Sequence, residues 1–357
     1  MNPSDSSLYP PRARALAEAL QRRILILDGA TGTLLQQFGL TENDFRGVRL
    51  KDHPQDLKGD NELLCLNRPD VVAEVHRRYL QSGADIITTN TFGATKIGQA
   101  DYGLSHLARE LNVEAARIAR EAVAQFEKEN PGKSAWVFGS IGPTNRTASL
   151  SPDAERPGYR AVTFDELQEA YLEQVEGLVD GGADALILET IFDTLNAKAA
   201  LFAIGRYFED KAQRLPVILS VTITDAAGRT LSGQTLEAFW NSVRHARPLA
   251  VGINCALGVE QMAAFVQQLS ELADCHVCCY PNAGLPNPLS PTGYDETPEH
   301  FSQAMAAFAD KGFLNIAGGC CGTLPEHIGA LALALKDKPP RKTPAIKPAL
   351  RLSGLEA

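Results

Sequence analysis

Short, almost uninterrupted apolar runs recur along the chain, and each gives way to a turn signal and then to a stretch whose apolar positions return every three or four residues. This is the strand–helix alternation: a strand covered on both faces is apolar throughout, whereas a helix packs a single stripe. The runs read ILILD (24–28), DIITTN (85–90), AWVFGS (135–140), ALILET (185–190), PVILSVT (216–222), LAVGINC (249–255), HVCCYPN (276–282) and LNIAGG (314–319). Helical stretches such as PDVVAEVHRRYLQSGA (69–84) and FDELQEAYLEQVEGLVDGGA (164–183) lie between them. Eight strand–helix units over roughly 310 residues predict a single α/β domain, a closed (β/α)8 barrel of the TIM type, with an open doubly wound sheet as the alternative.

Two segments fall outside the repeat. Residues 39–67 make a long first strand-to-helix connection, and long loops on such scaffolds commonly carry function, so this one is expected to shape the barrel mouth. Residues 336–357 are rich in Pro and Lys without periodicity and read as an extended linker. The expected organisation is an N-terminal extension over 1–20, the barrel over 21–336, and a linker-like tail over 337–357.

Composition narrows the classes of function. The 357 residues are 44% hydrophobic and 22% charged, ample for a large core, and the net charge of −9 disfavours nucleic acid or anionic membranes as partners. No run of 18 apolar residues occurs, and the opening MNPSDSSLYPPRARALAEALQRR lacks the apolar core of a signal peptide, so a cytoplasmic protein is expected. The seven cysteines are an odd number in a long chain, which suits reduced thiols or metal ligands better than a disulfide framework.

Candidate chemistry concentrates at strand ends, where a barrel of this kind builds its site. Cys255 closes the sixth run in GINCALG, and Cys320 and Cys321 follow the eighth in GGCCGT. A disulfide between neighbours is disfavoured, because consecutive Cα atoms lie about 3.8 Å apart and relaxed disulfides want roughly 4.4–6.8 Å. Flanking Gly318, Gly319 and Gly322 are expected to free the backbone so that both sulfurs turn towards one point. Three thiolates with a fourth position open is the pattern of a catalytic zinc site. Cys65, Cys275, Cys278 and Cys279 read instead as small buried hydrophobes. Asp28 and Glu189 end the first and fourth runs, as groups to orient a cationic ammonium or as caps of the following helices. Asn254, and Asn90 with Thr91 in TTNTFG, are polar strand-end groups of the same kind. DGATGT (28–33) lacks both G-x-G-x-x-G spacing and a Walker lysine, and neither G-x-S-x-G nor H-E-x-x-H occurs.

The glycine-framed GGCCGT with a distant NCALG resembles the homocysteine S-methyltransferase family, whose barrel carries a three-cysteine zinc site. Within that family, GPTNRTASLSPD (142–153), ETIFDTLNAKAA (189–200), TITDAAGRTLSGQTLEAF (222–239) and PNAGLPN (281–287) look like the homocysteine-binding module of cobalamin-dependent methionine synthase. The likeness runs from about residue 20 to residue 336, and RLSGLEA resembles the junction to a folate-binding barrel. The resemblance implies Zn2+ on Cys255, Cys320 and Cys321 and methyl transfer to L-homocysteine. It further implies that Asp28 and Glu189 hold the substrate amino group, that Asn254 stands next to the metal, and that amides near the Asn90–Thr91 turn hold the carboxylate. The donor implied is methylcobalamin on a separate cobalamin- and folate-binding methionine synthase subunit. The cobalamin signature D-x-H-x-x-G is missing here: the one D-x-H, Asp274-Cys275-His276, is followed by VCC. The expectation is therefore one half of a split enzyme or an isolated module. A stand-alone transferase using S-methylmethionine or betaine is the alternative, and a non-catalytic zinc- or homocysteine-binding subunit is a third reading.

Overall fold

The computed structural model describes residues 8–224, 227–290 and 293–357. All eight expected runs are strands: β1 Leu25–Ile26, β2 Ile86–Thr88, β3 Trp136–Ile141, β4 Ala185–Ile191, β5 Val217–Val221, β6 Ala250–Gly258, β7 His276–Asn282 and β8 Ile316–Ala317. They pair in parallel in the order β1-β8-β7-β6-β5-β4-β3-β2. A bridge from Leu27 to Ile86 and the bond from the Asp28 amide to the Ile86 carbonyl join the two outer strands. The ring is thereby closed, so the fold is a (β/α)8 barrel and the open-sheet alternative falls away.

Each helix covers the sheet for the reason its sequence gives. The Pro69–Ser82 helix starts with Pro at its first position and stops at Gly83, which adopts the left-handed backbone that glycine tolerates. The Phe164–Asp180 helix opens with a Thr163–Glu166 capping box. The barrel interior is filled by a cluster that includes Leu25, Ile86, Phe138, Ile187, Ile218 and Tyr280. From within the N-terminal extension, the Pro11–Arg22 helix inserts Leu16 and Leu20 into that cluster and so closes the floor. Among the described residues, no helix is long and apolar enough to cross a membrane.

The two outlying segments are both folded onto the barrel. The 39–67 connection buries Leu57, Leu63 and Leu64 completely and contains the short helices Glu42–Arg46 and Leu64–Asn67. The tail forms neither helix nor strand beyond Leu335, yet its Arg341 is buried and donates to the carbonyls of Ser270, Ala273 and Cys275.

Candidate active site

The Gly318–Thr323 turn is held at both sides by neighbouring strand ends. The Gly319 amide donates to the Asp28 carbonyl after β1, and the Cys320 amide donates to the Pro281 carbonyl on β7. A hydroxyl bond from Thr323 to the Cys320 carbonyl, 2.6 Å, tightens the turn. The three glycines act differently from the expectation that all of them free the backbone. Gly322 alone among them has a left-handed φ, of 80°. Gly318 and Gly319 are needed for close approach, because a Cβ would lie 2.6 Å from the Leu27 Cβ and 2.3 Å from the Thr323 hydroxyl.

Cys255 reaches the same point through a distortion of β6. The β6–β7 register slips between Asn254 and Gly258, and Cys255 and Ala256 both take left-handed φ values, 61° and 60°. Such backbone is strained for residues with a Cβ and persists only where surrounding contacts impose it. The result is a triangle of sulfurs all within 4.8 Å of one another, with Cys255 and Cys321 at 3.8 Å. Four ligands around zinc at about 2.3 Å stand about 3.8 Å apart, so this spacing fits a tetrahedral metal site. Thiol hydrogen bonds from Cys255 and Cys320 lower the pKa of Cys321 and favour its thiolate, while hydrogen bonds with Cys255 and Cys321 push Cys320 well up. The other four cysteines are elsewhere, and burial pushes the Cys65, Cys278 and Cys279 thiols far up, the behaviour of inert core groups. Cys278 fills the space left by Gly252, where a Cβ would collide with its sulfur.

The sulfurs stand at one side of a cavity of about 300 Å³ that also exposes Asp28, Glu189 and Glu62. Asp28 accepts from the Thr88 amide at 2.8 Å, and burial holds its carboxyl well above the ordinary range. Glu189 accepts from the Ser140 hydroxyl at 2.6 Å and is pushed up to about 7, chiefly by burial. Neither is a helix cap: after β4 that role belongs to Asp193, whose carboxylate accepts from the Leu195 and Asn196 amides. Both carboxyl groups line the cavity with burial disfavouring their charged forms, so a cation bound there would favour their ionisation.

The remaining sequence candidates occupy supporting positions. Asn254 is fully buried behind the cavity wall. Its Oδ1 accepts from the Thr190 amide at 3.1 Å and the Ser220 hydroxyl at 2.7 Å, and its Nδ2 lies 4.0 Å from the Cys320 sulfur. Thr190, next to Glu189, is itself left-handed with φ 57°, so Asn254 holds the kink that aims Glu189. Asn90 donates to the Asn61 carbonyl at 2.7 Å, and the buried Thr91 hydroxyl donates to the Ser140 carbonyl at 2.7 Å. Both line the cavity, with the Asn90 side chain committed to the 39–67 connection and the Thr91 hydroxyl to β3.

Glu62 was not singled out by the sequence, although the 39–67 loop that carries it was expected at the mouth. Its carboxylate accepts from the Gly93 amide at 2.6 Å, and the half-exposed Phe92 lines the same cavity. Behind it, burial and the Glu62 charge push Asp60 up to about 7. Among the described residues, no Lys, Arg or His lines the cavity. The arrangement can hold a soft metal ion beside a cationic head group.

The homocysteine S-methyltransferase family model matches residues 25–335. Among solved structures, the chain is similar to the homocysteine methyltransferase MmuM from Escherichia coli. The metallated form superposes with a TM-score of 0.69 at 27% identity, covering 90% of this chain and 99% of that one. The apo form gives a TM-score of 0.64 at 25% identity over 90% and 99%. A 2-naphthoyl-CoA reductase shares the fold alone, at 11% identity and a TM-score of 0.52 over 85% of this chain and 50% of that one.

Proposed function

The chain belongs to the homocysteine S-methyltransferase family and is a methyltransferase, and from that premise we propose that it makes methionine by zinc-dependent methyl transfer to the thiol of L-homocysteine. The observation that carries this reading is the convergence of Cys255, Cys320 and Cys321 within 4.8 Å on one edge of a cavity lined by Asp28 and Glu189. Zinc on the three sulfurs would keep a substrate thiol deprotonated near neutral pH, where a free thiol of pKa about 8.5 is only a few per cent thiolate.

The protein's own groups then do the positioning. Asp28 and Glu189 take the substrate ammonium, and each is braced on its outer side, by Thr88 and by Ser140. Asn254 fixes the strand kink that presents Glu189. The carboxylate of the substrate goes to backbone amides around Asn90 and Thr91. Holding both ends of the amino acid leaves its sulfur in one orientation towards the mouth, which supplies the entropy part of the rate enhancement. A cytosolic location suits a site that needs reduced thiols.

For the donor we propose methylcobalamin carried by a separate cobalamin- and folate-binding methionine synthase subunit, in line with the long sequence strings that resemble that enzyme. A second reading rests on Glu62 and Phe92. Both line the cavity, and a carboxylate together with an aromatic ring suits a cationic donor such as S-methylmethionine or betaine. Methionine formation by the zinc-loaded chain, assayed with each donor in parallel, separates the readings. Turnover with methylcobalamin supports the split-synthase role, turnover with the cationic donors alone supports the second, and silence with all three refutes both. Cys321→Ala is expected to lose metal and activity with the circular dichroism spectrum retained; full activity without that sulfur would refute the thiolate site.

A further inference from the structure

The last residues of the chain are hydrogen-bonded to the loop that follows β5, on the catalytic face of the barrel. The Thr235 amide donates to the Leu355 carbonyl at 2.9 Å, the Gln234 side-chain amide donates to the Gly354 carbonyl at 2.7 Å, and the Ser242 and Ser353 hydroxyls meet at 2.7 Å. Glu356 forms an ion pair with Arg229 in the same loop. The tail is tied at its other end by buried Arg341 at the end of the Val259–Leu272 helix and the loop that leads into β7, on the opposite face. It therefore straps the barrel from floor to rim.

Gln234 also faces the neighbouring loop. Its side-chain carbonyl accepts from the Thr194 hydroxyl, and the Ser232 amide donates to the Phe192 carbonyl at 3.2 Å. Phe192, Asp193 and Thr194 are the exit of β4, directly after the Glu189–Thr190 kink. Asp193 in turn accepts from the Ser149 amide of the loop after β3 at 3.2 Å. One amide side chain thus links the tail to a rim segment shared by β3, β4 and β5.

We propose that residues 353–356 are a latch on the mouth of the barrel and that Gln234 is the positioning residue through which the latch orders the loops after β4 and β5. Docked, the latch holds the rim against which a methyl donor must seat, while the three cysteines and the homocysteine cavity are built independently of it. Released, it loosens that rim. The kinetic part of this inference rests on the methyl-transfer reading above; the structural part does not.

The test uses the chain carrying Ser353→Ala with Glu356→Lys, the chain carrying Gln234→Leu, and the combination. Hydrogen exchange by mass spectrometry reports on residues 192–196 and 227–235. Either variant is expected to raise deuterium uptake in both segments, and the combination to raise it no further in 192–196, because the tail reaches that segment through Gln234. In turnover assays, KM for the methyl donor is expected to rise roughly threefold to tenfold with homocysteine affinity and bound metal unchanged, and again without additivity. Uptake confined to 227–235, or additive effects of the two variants in 192–196, would overturn the role of Gln234; unchanged uptake in both would overturn the latch. If no donor supports turnover, the methyl-transfer reading fails, while the exchange data still decide whether the latch exists.

Discussion

His76 gives a quantitative test of the packing between helix and barrel. It lies on the Pro69–Ser82 helix with no exposed surface, and neither ring nitrogen has a hydrogen-bond partner among the described residues. Burial alone pushes its pKa from the ordinary 6.5 down to about 4. The folded chain therefore refuses a proton that the unfolded chain accepts, so stability is full above about pH 6.5 and is lost as pH falls towards 4. Each pH unit in that window costs about 1.4 kcal/mol, which sums to about 3.4 kcal/mol over 2.5 units. Other groups also titrate there, so the informative quantity is a difference. Urea denaturation of the wild type and of His76→Leu, which fills a similar volume without a titrating ring, is compared at pH 7.5 and pH 5.0. Between those values the wild type is expected to lose about 2 kcal/mol relative to the variant. Parallel losses would refute the reasoning, since they would mean that His76 takes up its proton in the native state without penalty.

The remaining predictions concern the site and its supports. Glu189 is pushed up to about 7 and must ionise to hold an ammonium, so methionine affinity by calorimetry should weaken about tenfold per pH unit below 7 and level off above it. In Glu189→Gln that dependence should be largely flattened, and an unchanged profile would remove Glu189 from amino-group binding. Asn254→Ala removes the bonds that hold Thr190 in a left-handed conformation, at a cost of about 2 kcal/mol; homocysteine affinity should fall about tenfold with metal content preserved, and loss of the metal instead would give Asn254 a different role. Arg341→Ala strands three buried carbonyls at about 3 kcal/mol, which should lower the thermal midpoint by several degrees, whereas an unchanged midpoint would mean that the tail contributes nothing to the barrel.

Much of this protein is legible one segment at a time. Each apolar run marks a strand because periodicity is a local property of the chain, and eight of them with helices between leave few topologies. Cys320 and Cys321 announce themselves because covalent adjacency fixes two sulfurs in one place, and glycines around them mark a crowded turn. Asp28 and Glu189 were visible for the same reason, as acids where strands end. What the segments left open was decided by contacts between distant parts of the chain. Whether the sheet closes depends on Leu27 meeting Ile86, and whether the long first connection reaches the cavity depends on Glu62 meeting Gly93. The left-handed backbone at Thr190, Cys255 and Ala256 has no sequence signature, since each residue alone disfavours it and Asn254 and the strand register impose it from outside. The tail likewise reads as free linker until Arg341 and Gly354 find their partners. Local pattern thus set the elements and the reactive groups, and non-local packing set the angles and distances on which their chemistry depends.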